Sequence, residues 1–310
     1  MYSIEGIVPP MITPLLNEDA LDHKGIEKLV DHLISGGVNG LFLLGTTGES
    51  PSLTQSLRFE LLETACNRVN GRIPVLVGLM DTSYKESVDV AEKAKELGVK
   101  AVVLAPPSFY KINQEELYNL VVNMLDDISL PMYLYNNPGV TQASFDLETV
   151  GKLLTREEIL GIKDSSGDMK YYQQLMEYTQ DSNTALYMGP EELLMESLLL
   201  GGNGGIPGGA NIFPELYVNM YKSASSGDLK RALVLQREIM KISKVVYSGA
   251  GYGAGNVING IKCALKSLDI CNDYVAKPLS QVDAEKAEKI ENLVGTILTT
   301  VEDLETEVEK

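Results

Sequence analysis

Lys163 stands in Leu160-Gly-Ile-Lys-Asp164, an apolar stretch with strand character. A lysine in such a place is costly unless paired, and its removal from water favours the neutral amine, which can attack a carbonyl. The competing reading is a salt bridge to Asp164 or another carboxylate. Lys262, in Val257-Ile-Asn-Gly-Ile-Lys-Cys263, is a second lysine in apolar surroundings, but its context is a helix rather than a strand end, so it ranks below Lys163. Tyr135 closes the neighbouring apolar run Met132–Asn136 and can carry the proton an imine former must move. Its alternative is a core tyrosine beside a turn. Thr46 and Thr47 lie in the glycine-flanked turn Gly45-Thr-Thr-Gly48, whose N–H groups and hydroxyls can cradle a carboxylate, although any tight turn could read the same way. Histidine chemistry is set aside. The chain has 2 histidines, His23 and His32, both beside the first helix, whereas catalytic triads, zinc sites and metal-dependent aldol cleavage need histidines converging on a cleft. No metal and no cofactor are expected.

The elements that must hold these residues alternate. Short apolar, β-branched runs fall at Gly6–Thr13, Gly40–Leu44, Val75–Leu79, Ala101–Ala105, Met132–Asn136, Leu160–Lys163, Ala185–Met188 and Gly204–Ile206. Helix-like stretches lie between them, among them Lys24–Ser35, Gln55–Val69, Lys85–Leu97, Gln114–Asp126 and Glu191–Leu200. Thr54, Ser83 and Asn113 stand where N-caps belong, and Gly98 reads as a helix stop. Eight such units predict an α/β fold, a (β/α)8 TIM barrel spanning 1–225. A doubly wound sheet is the rival, but Ile12-Thr-Pro-Leu15 stands where its glycine-rich turn would follow the first strand. Gly249-Ala-Gly-Tyr-Gly-Ala-Gly255 also fails that spacing. From about residue 210 the pattern turns helical, at Glu215–Ser223, Leu229–Val246, Asn256–Leu268 and Asp283–Val308, which predicts a docked C-terminal helical extension over 226–310. Its acidic end, 301–310, reads as a solvated helix terminus.

A barrel enzyme works at the C-terminal ends of its strands. Those ends carry Gly45-Thr-Thr-Gly-Glu49, Tyr133-Leu-Tyr-Asn-Asn-Pro-Gly139, Gly161-Ile-Lys-Asp-Ser-Ser166, Met188-Gly-Pro-Glu-Glu192 and Gly204-Gly-Ile-Pro-Gly-Gly209. Thr46, Thr47, Tyr135 and Lys163 therefore share one rim. Composition narrows the partners. The chain has 310 residues, and 26 Lys+Arg against 43 Asp+Glu leave a net charge of −17, which argues against nucleic acid and anionic membranes. Three cysteines, Cys66, Cys263 and Cys271, form no CxxC pair, which suggests a reducing compartment. No run approaches the roughly 18 apolar residues of a membrane span, and the start lacks a signal-peptide pattern, so a cytoplasmic protein is expected.

Gly45-Thr-Thr-Gly-Glu-Ser50, Tyr135-Asn-Asn-Pro138 and Gly161-Ile-Lys-Asp-Ser165, in this order, resemble three signatures of the dihydrodipicolinate synthase/N-acetylneuraminate lyase family of Schiff-base pyruvate enzymes. The resemblance implies that Lys163 forms the imine with a 2-oxo acid. It makes Tyr135 the proton carrier, relayed by Thr47 and by a tyrosine from a neighbouring subunit, for which Tyr110 is the match. Thr46, Thr47, Gly189, Glu191, Glu192 and Ile206 complete the substrate-contact set it implies. It also implies self-association as a homotetramer, a dimer of dimers.

Departures from the family pattern bear on the substrate. The synthase branch carries an arginine shortly after Tyr-Asn-x-Pro, gripping the aldehyde's carboxylate, whereas Gly139-Val-Thr-Gln142 stands here. From Tyr171 through Tyr221 there is no Lys, Arg or His, which disfavours a phosphorylated substrate. Glu191 and Glu192 suit hydroxyl donors such as a sugar chain, or else they favour the dipole of a starting helix. The expected activity is a lyase releasing pyruvate and a neutral aldehyde from a 2-oxo-3-deoxy sugar acid or related 4-hydroxy-2-oxo acid, with dehydration of the same imine as a variant. Condensation of pyruvate with aspartate semialdehyde, a phosphate-dependent barrel enzyme and a catalytically silent oxo-acid binder are the alternatives.

Overall fold

The computed structural model describes residues 4–179, 183–249 and 253–306. Eight parallel strands form one sheet: β1 (Gly6–Ile7), β2 (Leu41–Leu43), β3 (Val75–Leu79), β4 (Ala101–Leu104), β5 (Met132–Asn136), β6 (Ile159–Asp164), β7 (Ala185–Met188) and β8 (Gly204–Gly205). From β2 to β8 each pairs with its neighbour in chain order, and β8 pairs with β1. Closure comes just beyond β1, where Pro10 bridges Phe42 and the Phe42 N–H donates to the Pro9 carbonyl at 3.0 Å. The result is the predicted (β/α)8 barrel with C-terminal helices. The first strand is shorter than the Gly6–Thr13 expected, because Pro9 and Pro10 have no N–H to give to a ladder.

Alternation along the strands sorts the side chains into two cores. Phe42, Leu76, Val103, Tyr133, Tyr135 and Tyr187 fill the barrel interior. Leu43, Val77, Val102, Leu134, Ile162 and Leu186 point the other way, against the helices. Both faces are buried, which is why the strands read as continuous apolar runs.

The helices begin where the caps stand. Thr54 accepts from the Leu57 N–H ahead of α2 (Gln55–Val69), Ser83 from Glu86 ahead of α3 (Tyr84–Glu96), and Asn113 forms a capping box with Glu116 at α4 (Gln114–Asp127). Gly98, at φ +73°, follows α3 as the stop. α1 is His23–Ser35, and α5 (Leu147–Leu153) and α6 (Met169–Thr179) are two helices that the spacing did not single out. The expected Glu191–Leu200 helix is a 3-10 turn, Glu191–Leu193, continued by α7 (Leu194–Leu199). α8 (Pro214–Ser225) follows β8, and α9 (Leu229–Val246), α10 (Ala254–Ser267) and α11 (Ala284–Thr306) complete the chain. Residues 307–310 of the acidic end, and 250–252 of the glycine-rich segment, lie outside the described residues.

Candidate active site

Register places the two central side chains next to each other. Tyr135 on β5 pairs with Lys163 on β6, which pairs with Tyr187 on β7, so all three share the row facing the interior. The Lys163 Nζ lies 4.0 Å from the centre of the Tyr135 ring and 5.3 Å from that of Phe42. The row one residue on, Asn136 and Asp164, faces the helices instead. There Asn136 Nδ2 donates to Asp164 Oδ1 at 2.8 Å, and the Ser166 hydroxyl donates to Asp164 Oδ2 at 2.8 Å. Asp164 is thus turned away from Lys163, and among the described residues Lys163 makes no ion pair. Burial pushes the Asp164 carboxyl above its ordinary value. The local path depends on Gly161, at φ +152°, where a Cβ would stand 2.0 Å from the Ala185 carbonyl oxygen.

The Tyr135 hydroxyl has two side-chain neighbours. Asn137 Nδ2 donates to it at 2.8 Å, and Thr46 Oγ1 lies 3.5 Å away. Burial works to raise this phenol, but the Lys163 charge and hydrogen bonding with Thr46 and Ser165 outweigh it and hold the group below its usual value. A phenol so placed gives up its proton more readily than a free tyrosine.

The Thr46–Thr47 turn enters through strained backbone. Leu44, just past β2, is buried at φ +55°, and its carbonyl packs where Gly78 has no side chain. In the turn, Gly48 N–H donates to Gly45 O and Glu49 N–H to Thr46 O, each at 3.1 Å. Among the described residues the N–H groups of Thr46 and Thr47 have no acceptor. Thr13 Oγ1 closes the turn from below, donating to the Gly48 carbonyl at 2.6 Å.

Thr46, Thr47, Tyr135, Lys163, Gly189, Glu191, Glu192 and Ile206 all line one cavity of about 280 Å³ at this end of the barrel. The two acidic residues differ. Glu191 is buried with both oxygens occupied: the Tyr217 hydroxyl donates to Oε1 at 2.6 Å, and the Gly209 N–H and Tyr247 hydroxyl each donate to Oε2 at 2.8 Å. Burial pushes its carboxyl up to about 7, against the pull of those donors. Glu192 is half-buried; the Ser243 hydroxyl donates to Oε1, and Oε2 has no partner among the described residues. Val140, from the arginine-free stretch Gly139-Val-Thr-Gln142, also lines the cavity, and Lys163 is the only cation of the described lining. Arg156, the next arginine, is engaged elsewhere with Glu158.

Tyr110 does not join the cavity. It is 67% exposed beside Phe109, their rings edge-on at 5.0 Å, so within one chain it meets no site residue. Lys262 is a buried ion-pair partner of Glu49 on α10. His23 is a surface residue bonded to Glu60, and His32 meets the Ile212 carbonyl. Asn137, Ser165 and Tyr247 also line the cavity and were not among the candidates; the first two stand in strand-end motifs, while no local signal marks Tyr247.

Comparison with known proteins bears on the family and the fold. Residues 3–297 match the model of the dihydrodipicolinate synthetase family. A solved dihydrodipicolinate synthase from Bacteroides thetaiotaomicron superposes with a TM-score of 0.91 at 41% identity, over 96% of this chain and 99% of that one. YagE from Escherichia coli K12, solved in complex with pyruvate, superposes with a TM-score of 0.88 at 27% identity over 94% and 98%. Among curated sequences, the probable 2-dehydro-3-deoxy-D-pentonate aldolase YjhH of Escherichia coli K12 is 29% identical over 95% of this chain and 97% of its own. Among the described residues no helix is long and apolar enough to cross a membrane.

Proposed function

We propose that this chain, which belongs to the dihydrodipicolinate synthetase family, cleaves a 2-oxo-3-deoxy sugar acid or related 4-hydroxy-2-oxo acid to pyruvate and a neutral aldehyde. Membership makes it one of the pyruvate-dependent aldolases and synthases; the choice of a lyase rests on the cavity's charge. Lys163 is the one cation of the described lining, and the stretch Gly139-Val-Thr-Gln142 offers no arginine for a second carboxylate. Glu192 Oε2 is free to accept from a sugar hydroxyl, whereas Glu191 has no oxygen to spare. The pentonate aldolase relative, named for such a sugar acid, supports the same choice.

In this reading the unpartnered amides of the Thr46–Thr47 turn hold the substrate carboxylate, with the C2 carbonyl at Lys163. The amine adds to C2, and loss of water leaves a protonated imine. Tyr135 takes the proton of the C4 hydroxyl as the C3–C4 pair moves toward the imine nitrogen, and the aldehyde departs. The remaining enamine gains a proton at C3, and water releases pyruvate and the free lysine. Thr47 relays the Tyr135 proton, and Tyr110, surface-exposed in one chain, completes the relay in the pocket of a second copy within a homotetramer. Ile206 and Gly189 shape the wall beside the sugar chain.

The test is intact-mass analysis after borohydride reduction with pyruvate. A pyruvate-sized adduct on the wild type and none on Lys163→Ala supports the imine. Release of pyruvate from a panel of 2-oxo-3-deoxy sugar acids then supports the lyase. Turnover confined to pyruvate plus aspartate semialdehyde would reassign the enzyme as a synthase.

A further inference from the structure

Glu49 and Lys262 form an ion pair in which neither side chain has any exposed surface. Glu49 is the residue at φ +57° that ends the Thr46–Thr47 turn, and its N–H donates to the Thr46 carbonyl. Its Oε1 accepts from the Ala276 N–H at 2.8 Å, while Lys262 Nζ also donates to the Tyr274 carbonyl at 2.7 Å. Lys262 belongs to α10, whose Ala254, Val257 and Ile258 line the catalytic cavity. Ile258 precedes Lys262 by four residues, about one helical turn. The same helix therefore meets the cavity with its first turns and grips the turn beneath it with the next.

This pair is poorly explained as a stabiliser. Burial pushes Glu49 above and Lys262 below its ordinary value, so each partner is driven toward its neutral form. A buried pair of this kind is often no more stable than apolar side chains of equal volume. What it supplies is geometry, since the Lys262 charge and the Ala276 N–H converge on the carboxylate of a left-handed residue, and the Tyr274 carbonyl holds the lysine in turn. Arg58 steadies the far side, with Nε donating to the Ser50 carbonyl at 3.0 Å. No other cation of the described residues pairs with Glu49.

We propose that the Glu49–Lys262 pair is a positioning device that sets the Thr46–Thr47 turn for the substrate carboxylate, so that 2-oxo acid binding depends on helix α10 of the C-terminal extension. This rests on the reading of the turn as the carboxylate cradle. Neither residue touches the reacting atoms. Loss of the pair weakens capture of the oxo acid and leaves the imine-forming step intact once the site is filled.

The experiment is a borohydride trapping titration with pyruvate, read by intact mass, on the wild type, Glu49→Gln, and the double variant Glu49→Gln/Lys262→Met. Glu49→Gln keeps the shape of the carboxylate, and the double variant leaves no unpaired buried charge, so folding is preserved for the measurement; circular dichroism checks it. The expected result is a half-saturating pyruvate concentration raised by about tenfold or more in both variants, with the adduct fraction at saturation unchanged, because a displacement of order 1 Å in a binding group is felt on this scale. A half-saturation within about twofold of wild type in a folded double variant overturns the positioning role and leaves the pair merely structural. Adduct on the wild type with that outcome leaves the imine reading standing, whereas no adduct on the wild type at any concentration overturns both.

Discussion

Replacement of Glu191 by glutamine sets two forces on one buried carboxyl against each other. Three donors, Gly209 N–H and the hydroxyls of Tyr217 and Tyr247, favour the carboxylate. Burial, reinforced by the Glu192 charge, favours the acid and prevails, with Glu191 raised from 4.5 to about 7. The folded protein then holds a proton that the unfolded chain has already released between those values, so folding stability falls as pH rises through the window. A shift of this size corresponds to about 3 kcal/mol in all, of which about 2 kcal/mol falls between about pH 5.5 and 8. Above the window both states are ionised and the loss levels off. Tyr217 and Tyr247 are raised by burial well above their ordinary value and do not titrate there. Glu191→Gln removes the titration while keeping the shape. Its amide meets a donor where the carboxylate accepted, a pH-independent cost of about 1–3 kcal/mol unless a tyrosine hydroxyl turns to accept from it. The assay is urea unfolding followed by circular dichroism, wild type and variant, in steps across that range. Other titrating groups cancel in the difference. The expected outcome is a wild-type advantage that shrinks by about 2 kcal/mol toward alkaline pH. Parallel curves would refute the reasoning and mean that the three donors keep Glu191 ionised throughout.

Two further outcomes follow from the site. Tyr135→Phe retains the ring against Lys163 but removes the proton acceptor, so pyruvate release falls by about 10²–10⁴-fold while the borohydride adduct still forms; a loss of adduct equal to the loss of turnover would place Tyr135 in imine formation instead. Gly161→Ala puts a methyl 2.0 Å from the Ala185 carbonyl oxygen in left-handed backbone two residues before Lys163. We expect a stability loss of about 2 kcal/mol or more by urea titration together with slower trapping by pyruvate, and an unchanged midpoint would show that β6 and β7 yield at this point without strain.

The barrel was legible because parallel strands covered on both faces leave continuous apolar runs, and because the caps at Thr54, Ser83 and Asn113 carry their own local signal. The rim was legible for a related reason: once strand ends are placed, a barrel brings them to one face whatever the loops do. Orientation within the rim follows from alternation. Lys163 and Tyr135 stand in register, while Asp164, one residue on, is carried to the opposite face, so the salt bridge that adjacency suggests does not form. What local pattern does not contain is the partner arriving from far along the chain. Tyr217 and Tyr247 reach Glu191 from 26 and 56 residues away, and Ala276 reaches Glu49 from 227. The lone hint was energetic: Lys262 in an apolar helix required a carboxylate somewhere, and Glu49, within a motif already marked for its threonines, was available to supply it. The same argument separates the paired acids at the cavity. Two neighbouring glutamates look equivalent in sequence, yet one has both oxygens taken by Tyr217, Tyr247 and the Gly209 N–H, and the other, also lining the cavity, has one oxygen without a partner among the described residues. Under the proposed lyase reading their substitutions are therefore separable: Glu191→Gln acts on stability and its pH dependence, while Glu192→Gln is expected to change which hydroxylated 2-oxo acid releases pyruvate fastest across a substrate panel, and an unchanged preference would remove Glu192 from the substrate contacts.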